Sequence, residues 1–113
     1  MKSLKEIVQN GNAQVLDFNQ DYIRFIWKCN GKGYLVMITT GNGPHISVSR
    51  ESNRAKKPYP KTEVISALIN LCFGSDYKSD TNHFEITKGA FCSHIREIPI
   101  EQKPLPYLCK RIN

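Results

Sequence analysis

The sequence lacks any apolar run approaching the roughly 18 residues a membrane-spanning helix needs. Its opening stretch, Met1-Lys2-Ser3-Leu4-Lys5-Glu6-Ile7, puts charge where a secretory signal carries its apolar region. There is no Asn-x-Ser/Thr acceptor either. These absences point to a cytoplasmic chain with no membrane partner. The four cysteines, Cys29, Cys72, Cys92 and Cys109, are scattered, and no Cys-x-x-Cys pair begins a structural zinc site. Reduced thiols and no bound metal are expected. No Gly-x-Gly-x-x-Gly or phosphate-loop pattern occurs, so no nucleotide cofactor is implied.

The 113 residues suffice for one modest core and are read as a single domain spanning 1–113. Hydrophobic residues at 40% and charged residues at 23% are those of a globular protein and argue against disorder. The net charge is +6, and it is unevenly spread. Residues 50–61 hold five basic side chains against one acidic, whereas the rest of the chain holds eleven against nine. A local positive field of this kind draws anionic partners, nucleic acid or acidic protein.

Local patterning gives the elements. Ser3 can cap a short helix in which Leu4, Ile7 and Val8 share a face, and Asn10-Gly11-Asn12 ends it. Residues 13–18 read as a strand, and 22–29 more strongly, with Ile23, Phe25, Trp27 and Cys29 on one side. Asn30-Gly31-Lys32-Gly33 supplies a hairpin turn, 34–40 returns, and a turn at Gly41-Asn42-Gly43 leads to a strand over 45–50. After a proline-bounded loop, Thr62 is placed as the cap of a helix over 62–73, whose Val64, Ile65, Leu68, Ile69, Leu71 and Cys72 make a broad apolar face. Gly74 ends it. Residues 83–87 alternate as a strand, 93–100 can form another, and the tail from Glu101, with Leu105, Tyr107 and Leu108, is expected to dock. The fold class is α+β: an antiparallel sheet, with a meander of three to four strands plus C-terminal strands, packed against one main helix.

This order of elements resembles that of a family of small phage and prophage proteins. The likeness covers roughly residues 34–99. It rests on the strand His45-Ile46-Ser47-Val48-Ser49-Arg50, the helix start Lys61-Thr62-Glu63, and the late segment Ser93-His94-Ile95-Arg96-Glu97-Ile98-Pro99. The tryptophans that family carries at the helix start and near the end are missing here. The resemblance implies a home in phage or mobile DNA and no particular activity.

Chemical motifs are sparse. His45-Ile46-Ser47 matches half of the two-histidine phosphoesterase pattern, but neither His83 nor His94 has a hydroxyl residue two positions on. Alternation also makes His45, Ser47 and Ser49 the solvated side of a strand, with Ile46 and Val48 turned inward. Cys92 and His94 share a face if their segment is a strand, without an identifiable activating carboxylate. No catalytic residue is assigned, and the chain is read as a non-enzyme.

The binding candidates are Arg50, Arg54, Lys56, Lys57, Tyr59 and Lys61, in the loop stiffened by Pro58 and Pro60. They suit a protein interface, since arginine and tyrosine often anchor one. With the phage likeness, this suggests an inhibitor of a host defence protein. Nucleic acid is the alternative ligand, through phosphate pairing and stacking on Tyr59, although no recognition motif for it is present.

Overall fold

The computed structural model describes residues 1–41, 44–51, 60–74, 83–89 and 92–98. It confirms an α+β architecture. A six-stranded antiparallel sheet is built from β1 (Gln14–Phe18), β2 (Tyr22–Cys29), β3 (Lys32–Thr39), β4 (His45–Arg50), β5 (Phe84–Lys88) and β6 (Cys92–Glu97). Helix α1 (Leu4–Asn10) precedes it, and α2 (Thr62–Phe73) lies between β4 and β5. The strand order is β1-β2-β3-β4-β6-β5. The first four strands form the expected meander, and the C-terminal hairpin joins it with β6, not β5, against β4.

Each element has a local cause. Ser3 Oγ accepts the Glu6 backbone N–H at 3.2 Å and so caps α1. Asn30 and Gly31 both take positive φ, 53° and 76°, which is the twist a two-residue hairpin loop needs, so the strands pair as far as Cys29 and Lys32. That tight loop starts β3 two residues earlier than its apolar run suggests. Gly11 allows close packing, since a Cβ there would lie 2.9 Å from Leu71 Cδ2 and 3.0 Å from the Ile7 carbonyl. The cap of α2 is a correction to the sequence reading. Lys61, extended and without a side-chain bond to the helix, holds the cap position, and Thr62 is the first helical residue. The Lys61 carbonyl takes the N–H groups of Val64 and Ile65 at 3.0 and 3.1 Å.

One sheet face packs on the helices. Phe25, Val36, Ile38, Ile46 and Val48 are fully buried and meet Leu68, Ile69 and Cys72 of α2 and Ile7 of α1 in one cluster. Phe84 and Ile95 extend it under the C-terminal hairpin, where Phe84 lies edge-on to Phe73 with ring centroids 4.7 Å apart. The side chains that alternate with these, from Arg24 and Ile26 on β2 to Cys92, His94 and Arg96 on β6, lie on the opposite face. That face is partly exposed and is not covered by either helix. The edges are defended: β1 carries a bulge between Val15 and Asp17, and β5 presents exposed Glu85, Thr87 and Lys88. The expected docking of the tail concerns residues outside those described.

Truncating Ile69 to alanine removes a fully buried side chain from this cluster. It should lower the urea-unfolding free energy by about 2–5 kcal/mol. Glu63→Ala, at an exposed position on the same helix, should change it by roughly 0.5 kcal/mol or less. Equal effects of the two would misplace the core.

Candidate functional site

Two arrangements stand out, one on the open face of the sheet and one at its end. On the open face, β4 and β6 pair with Ser47 opposite His94, His45 opposite Arg96 and Ser49 opposite Cys92. Ile46, Val48 and Ile95 are buried, so the alternate residues His45, Ser47, Cys92 and His94 must share the other side. The solvated-strand reading of His45, Ser47 and Ser49 therefore holds as far as the facing is concerned. What it lacked is the neighbour. His94 Nδ1 lies 3.2 Å from His45 Nε2 and 3.2 Å from Ser47 Oγ, while His94 Nε2 lies 3.2 Å from Cys92 Sγ. The two imidazoles are nearly parallel, at 17°, with centroids 5.1 Å apart.

The result is a row, Cys92–His94–His45, with Ser47 beside its middle member. With both rings neutral, one nitrogen of each donates and the other accepts. If the Cys92 thiol donates to His94 Nε2, then His94 Nδ1–H donates to His45 Nε2. The reverse chain, with His45 Nε2–H donating to His94 Nδ1 and His94 Nε2–H donating to Cys92, satisfies the same contacts.

Two other chemistries fit this row poorly. The imidazole nitrogens that face one another are too close for a phosphate to sit between them, which is where a two-histidine phosphoesterase holds its substrate. His94 directs one nitrogen to each neighbour, so the donors lie along a line. Among the described residues, no group of three or more His, Cys, Asp and Glu side chains is arranged to hold a metal ion.

Burial holds the His45 imidazole below its ordinary value of 6.5, and the neighbouring His94 ring and Arg96 guanidinium act in the same direction. Arg96 is itself paired with Glu85 at 2.8 Å, and across the face Arg24 is paired with Asp17 at 2.6 Å. The other described thiols differ in setting. Cys72 is buried in the core, which pushes its thiol up to about 12, and burial also raises that of Cys29.

The second arrangement follows from antiparallel order. The C-terminal ends of β2, β4 and β5 and the N-terminal ends of β3 and β6 fall at one end of the sheet. Lys28 and Lys32 flank the Asn30–Gly31 turn there, Arg50 closes β4, and Lys88 closes β5. Lys88 Nζ donates to Thr62 Oγ1 at 3.4 Å, which brings Lys61 and the start of α2 to the same end. Among the described residues, the acidic side chains there are Glu51 and Glu63.

Of the basic-loop candidates, Arg54, Lys56, Lys57 and Tyr59 lie outside the described residues. Both anchors of that loop, Arg50–Glu51 and Pro60–Lys61, stand at this basic end. Lys61 is exposed. Arg50 is not a free cation: alternation puts it on the helix side, where its guanidinium carbon lies 5.6 Å from the Tyr34 ring centroid and its Nε is buried. Sequence reasoning missed Lys28, Lys32 and Lys88 as members of this surface. The turn at Asn30–Gly31 could have pointed to the first two.

No family model matches the chain, and neither a curated protein nor a solved structure matches it. Among the described residues no helix is long and apolar enough to cross a membrane.

The depressed His45 titration has a consequence for stability. As pH falls through 6.5 the unfolded chain protonates His45 first, so stability is constant above that value and is lost as acidification proceeds toward the lower folded value. The thermal midpoint should fall between about pH 7.5 and 5, and less so in His45→Gln. Parallel curves for the two proteins would show that His45 titrates as in a free chain.

Proposed function

We propose that this chain is a small binding protein that grips an acidic partner protein through the basic end of its sheet. The observation that carries the reading is the convergence of Lys28, Lys32, Lys61 and Lys88 on the end where both anchors of the 52–59 loop stand. Arg54, Lys56 and Lys57 add sequence-adjacent positive charge to whatever those lysines attract. Arg50 takes part by holding the loop's entry against Tyr34 more than by meeting the partner itself.

A protein partner is favoured over nucleic acid by β1. Phe18 is 73% exposed there, opposite Ile23 at the end of the sheet away from Lys28, and Val15 and Leu16 are exposed along the edge strand that leads back toward the basic end. Exposed apolar side chains on an ordered strand suit contact with another protein. They contribute little to a phosphate backbone, which recognises charge. The likeness to small phage proteins supports a phage or mobile-element origin. In that setting the partner is a host protein, met in the host cytoplasm and blocked by the contact. No catalytic step is part of this role.

Two charge reversals test it, Lys28→Glu with Lys32→Glu, and Arg54→Glu with Lys56→Glu and Lys57→Glu. Each should abolish affinity capture of a host protein by the purified chain while leaving the thermal midpoint unchanged, because Lys28 and Lys32 are exposed. Phe18→Ser should weaken the captured complex by more than about 1 kcal/mol, which is more than a single exposed charge pair contributes. Duplex DNA and single-stranded RNA should bind weakly. Tight nucleic-acid binding that falls with salt at a log–log slope of about −0.7 to −0.9 per phosphate would transfer the basic end to that ligand instead. Capture unaffected by both reversals would contradict the reading.

A further inference from the structure

The binding role leaves the Cys92–His94–His45 row unused, and the row has the parts of an activated nucleophile. Such a group needs a base within hydrogen-bond reach and a third group that fixes the base. Cys92 Sγ and His94 Nε2 are 3.2 Å apart, and the far nitrogen of the same ring meets both His45 Nε2 and Ser47 Oγ at 3.2 Å. We propose that Cys92 is a nucleophilic thiol with His94 as its general base, oriented by His45 and Ser47, and that it reacts with anionic carbon electrophiles.

The preference for anionic electrophiles comes from position. Cys92 opens β6 opposite Ser49 at the basic end of the sheet; Lys28 stands on its face there, while Lys32, opposite Cys29, and Lys88, bonded to Thr62, hold the helix side of the same end. Arg96, on the same face two residues beyond His94, is held by Glu85, and Arg24 by Asp17, so those carboxylates are engaged by guanidinium groups. The thiol is partly exposed, and it lies on the face that neither helix covers.

The step balances without a further reagent. As Cys92 Sγ attacks the electrophilic carbon, its proton passes to His94 Nε2. The S–C bond forms, the bond from carbon to the leaving group breaks, and the leaving group departs with the electron pair. His94 meets the gained positive charge with its Nδ1–H donated to His45 Nε2 or Ser47 Oγ, which both lie in place to accept it. His45 is a positioning residue: it touches the base and not the reacting atoms. Cys72, on α2, is sealed in the core.

This inference does not depend on the binding role, since it concerns one thiol and a defined small reagent. The test uses iodoacetate and iodoacetamide on the full chain, with the adduct assigned to Cys92, Cys29, Cys72 or Cys109 by peptide mass. Cys92 should be alkylated at pH 6.5 at least about tenfold faster than the cysteine of an unstructured peptide of its own sequence. The ratio of iodoacetate to iodoacetamide rates should exceed that of the peptide. His94→Gln should slow Cys92 by on the order of 10². His45→Gln should leave a slower reaction whose pH dependence is displaced from the wild-type profile, a change that a merely looser fold does not produce.

Each variant is checked for its thermal midpoint. If His94→Gln fails to fold, the wild-type rate ratio to the peptide decides alone, because it needs no substitution. Cys92 reacting no faster than the peptide would overturn the proposal. So would a folded His94→Gln protein that retains the wild-type rate, and an iodoacetate preference no greater than the peptide's would overturn the anionic assignment.

Discussion

The arrangement depends above all on the pairing of β4 with β6. Ile46 faces Ile95 and Ser47 faces His94, so one hydrogen-bonded register sends isoleucine to the core and histidine to the open face on both strands. A slip of one residue would turn His94 inward and Ile95 outward, exchanging the two faces of β6. Burial of Ile95 and of Phe84 beside it makes that slip costly, since neither has another apolar environment to enter. The same pairing fastens the C-terminal hairpin to the meander, which α2 separates from it in the chain. The core thus fixes the register, and the register assembles the row of Cys92, His94 and His45.

The sheet divides its polar chemistry by position. Carboxylates on the open face, Asp17 and Glu85, each sit in an ion pair with an arginine from the neighbouring strand. Such exposed pairs add little stability, roughly 0–1 kcal/mol, but they occupy both of those carboxylates and leave Glu51, which lies against Gly33 opposite Lys28, beside the lysines at the sheet's end. Basic side chains therefore outnumber acidic ones at that end of the sheet. Antiparallel order is what concentrates it, because alternate strands deliver their opposite chain ends to the same place. The proposed binding surface and the Cys92 thiol share this end for that topological reason.

Much of the fold is legible in the sequence. The alternation Ile23, Phe25, Trp27 names the core face of β2, Asn30 to Gly33 names its turn two residues too long, and the broad apolar face of 62–73 names α2. The cap of α2 is misplaced by one residue, because a threonine before a helix and a threonine at its first position look alike without backbone geometry. Arg50 is harder to read as part of the core side. Its place in the series Ile46, Val48, Arg50 gives it away, yet a cation at a strand end draws attention to the loop beyond it. The contact of His94 with His45 could not be read at all. Forty-nine residues separate them, and strand order within a sheet leaves no local trace in either strand. Cys92 and His94 announce a shared face through their spacing, and His45 and Ser47 do the same, but only pairing shows that it is one face.

The row requires those two histidines to be neighbours across β4 and β6, and proton magnetic resonance of their ring protons tests this most directly. Titrating the wild-type protein and His94→Gln gives the His45 midpoint in each. Removing the His94 ring takes away both a neighbouring charge and part of the burial that disfavour protonated His45, so the His45 midpoint should rise toward its ordinary value. An unchanged His45 midpoint in a folded His94→Gln protein would contradict the register, and with it the placement of Cys92 beside His94 and His45 in one row.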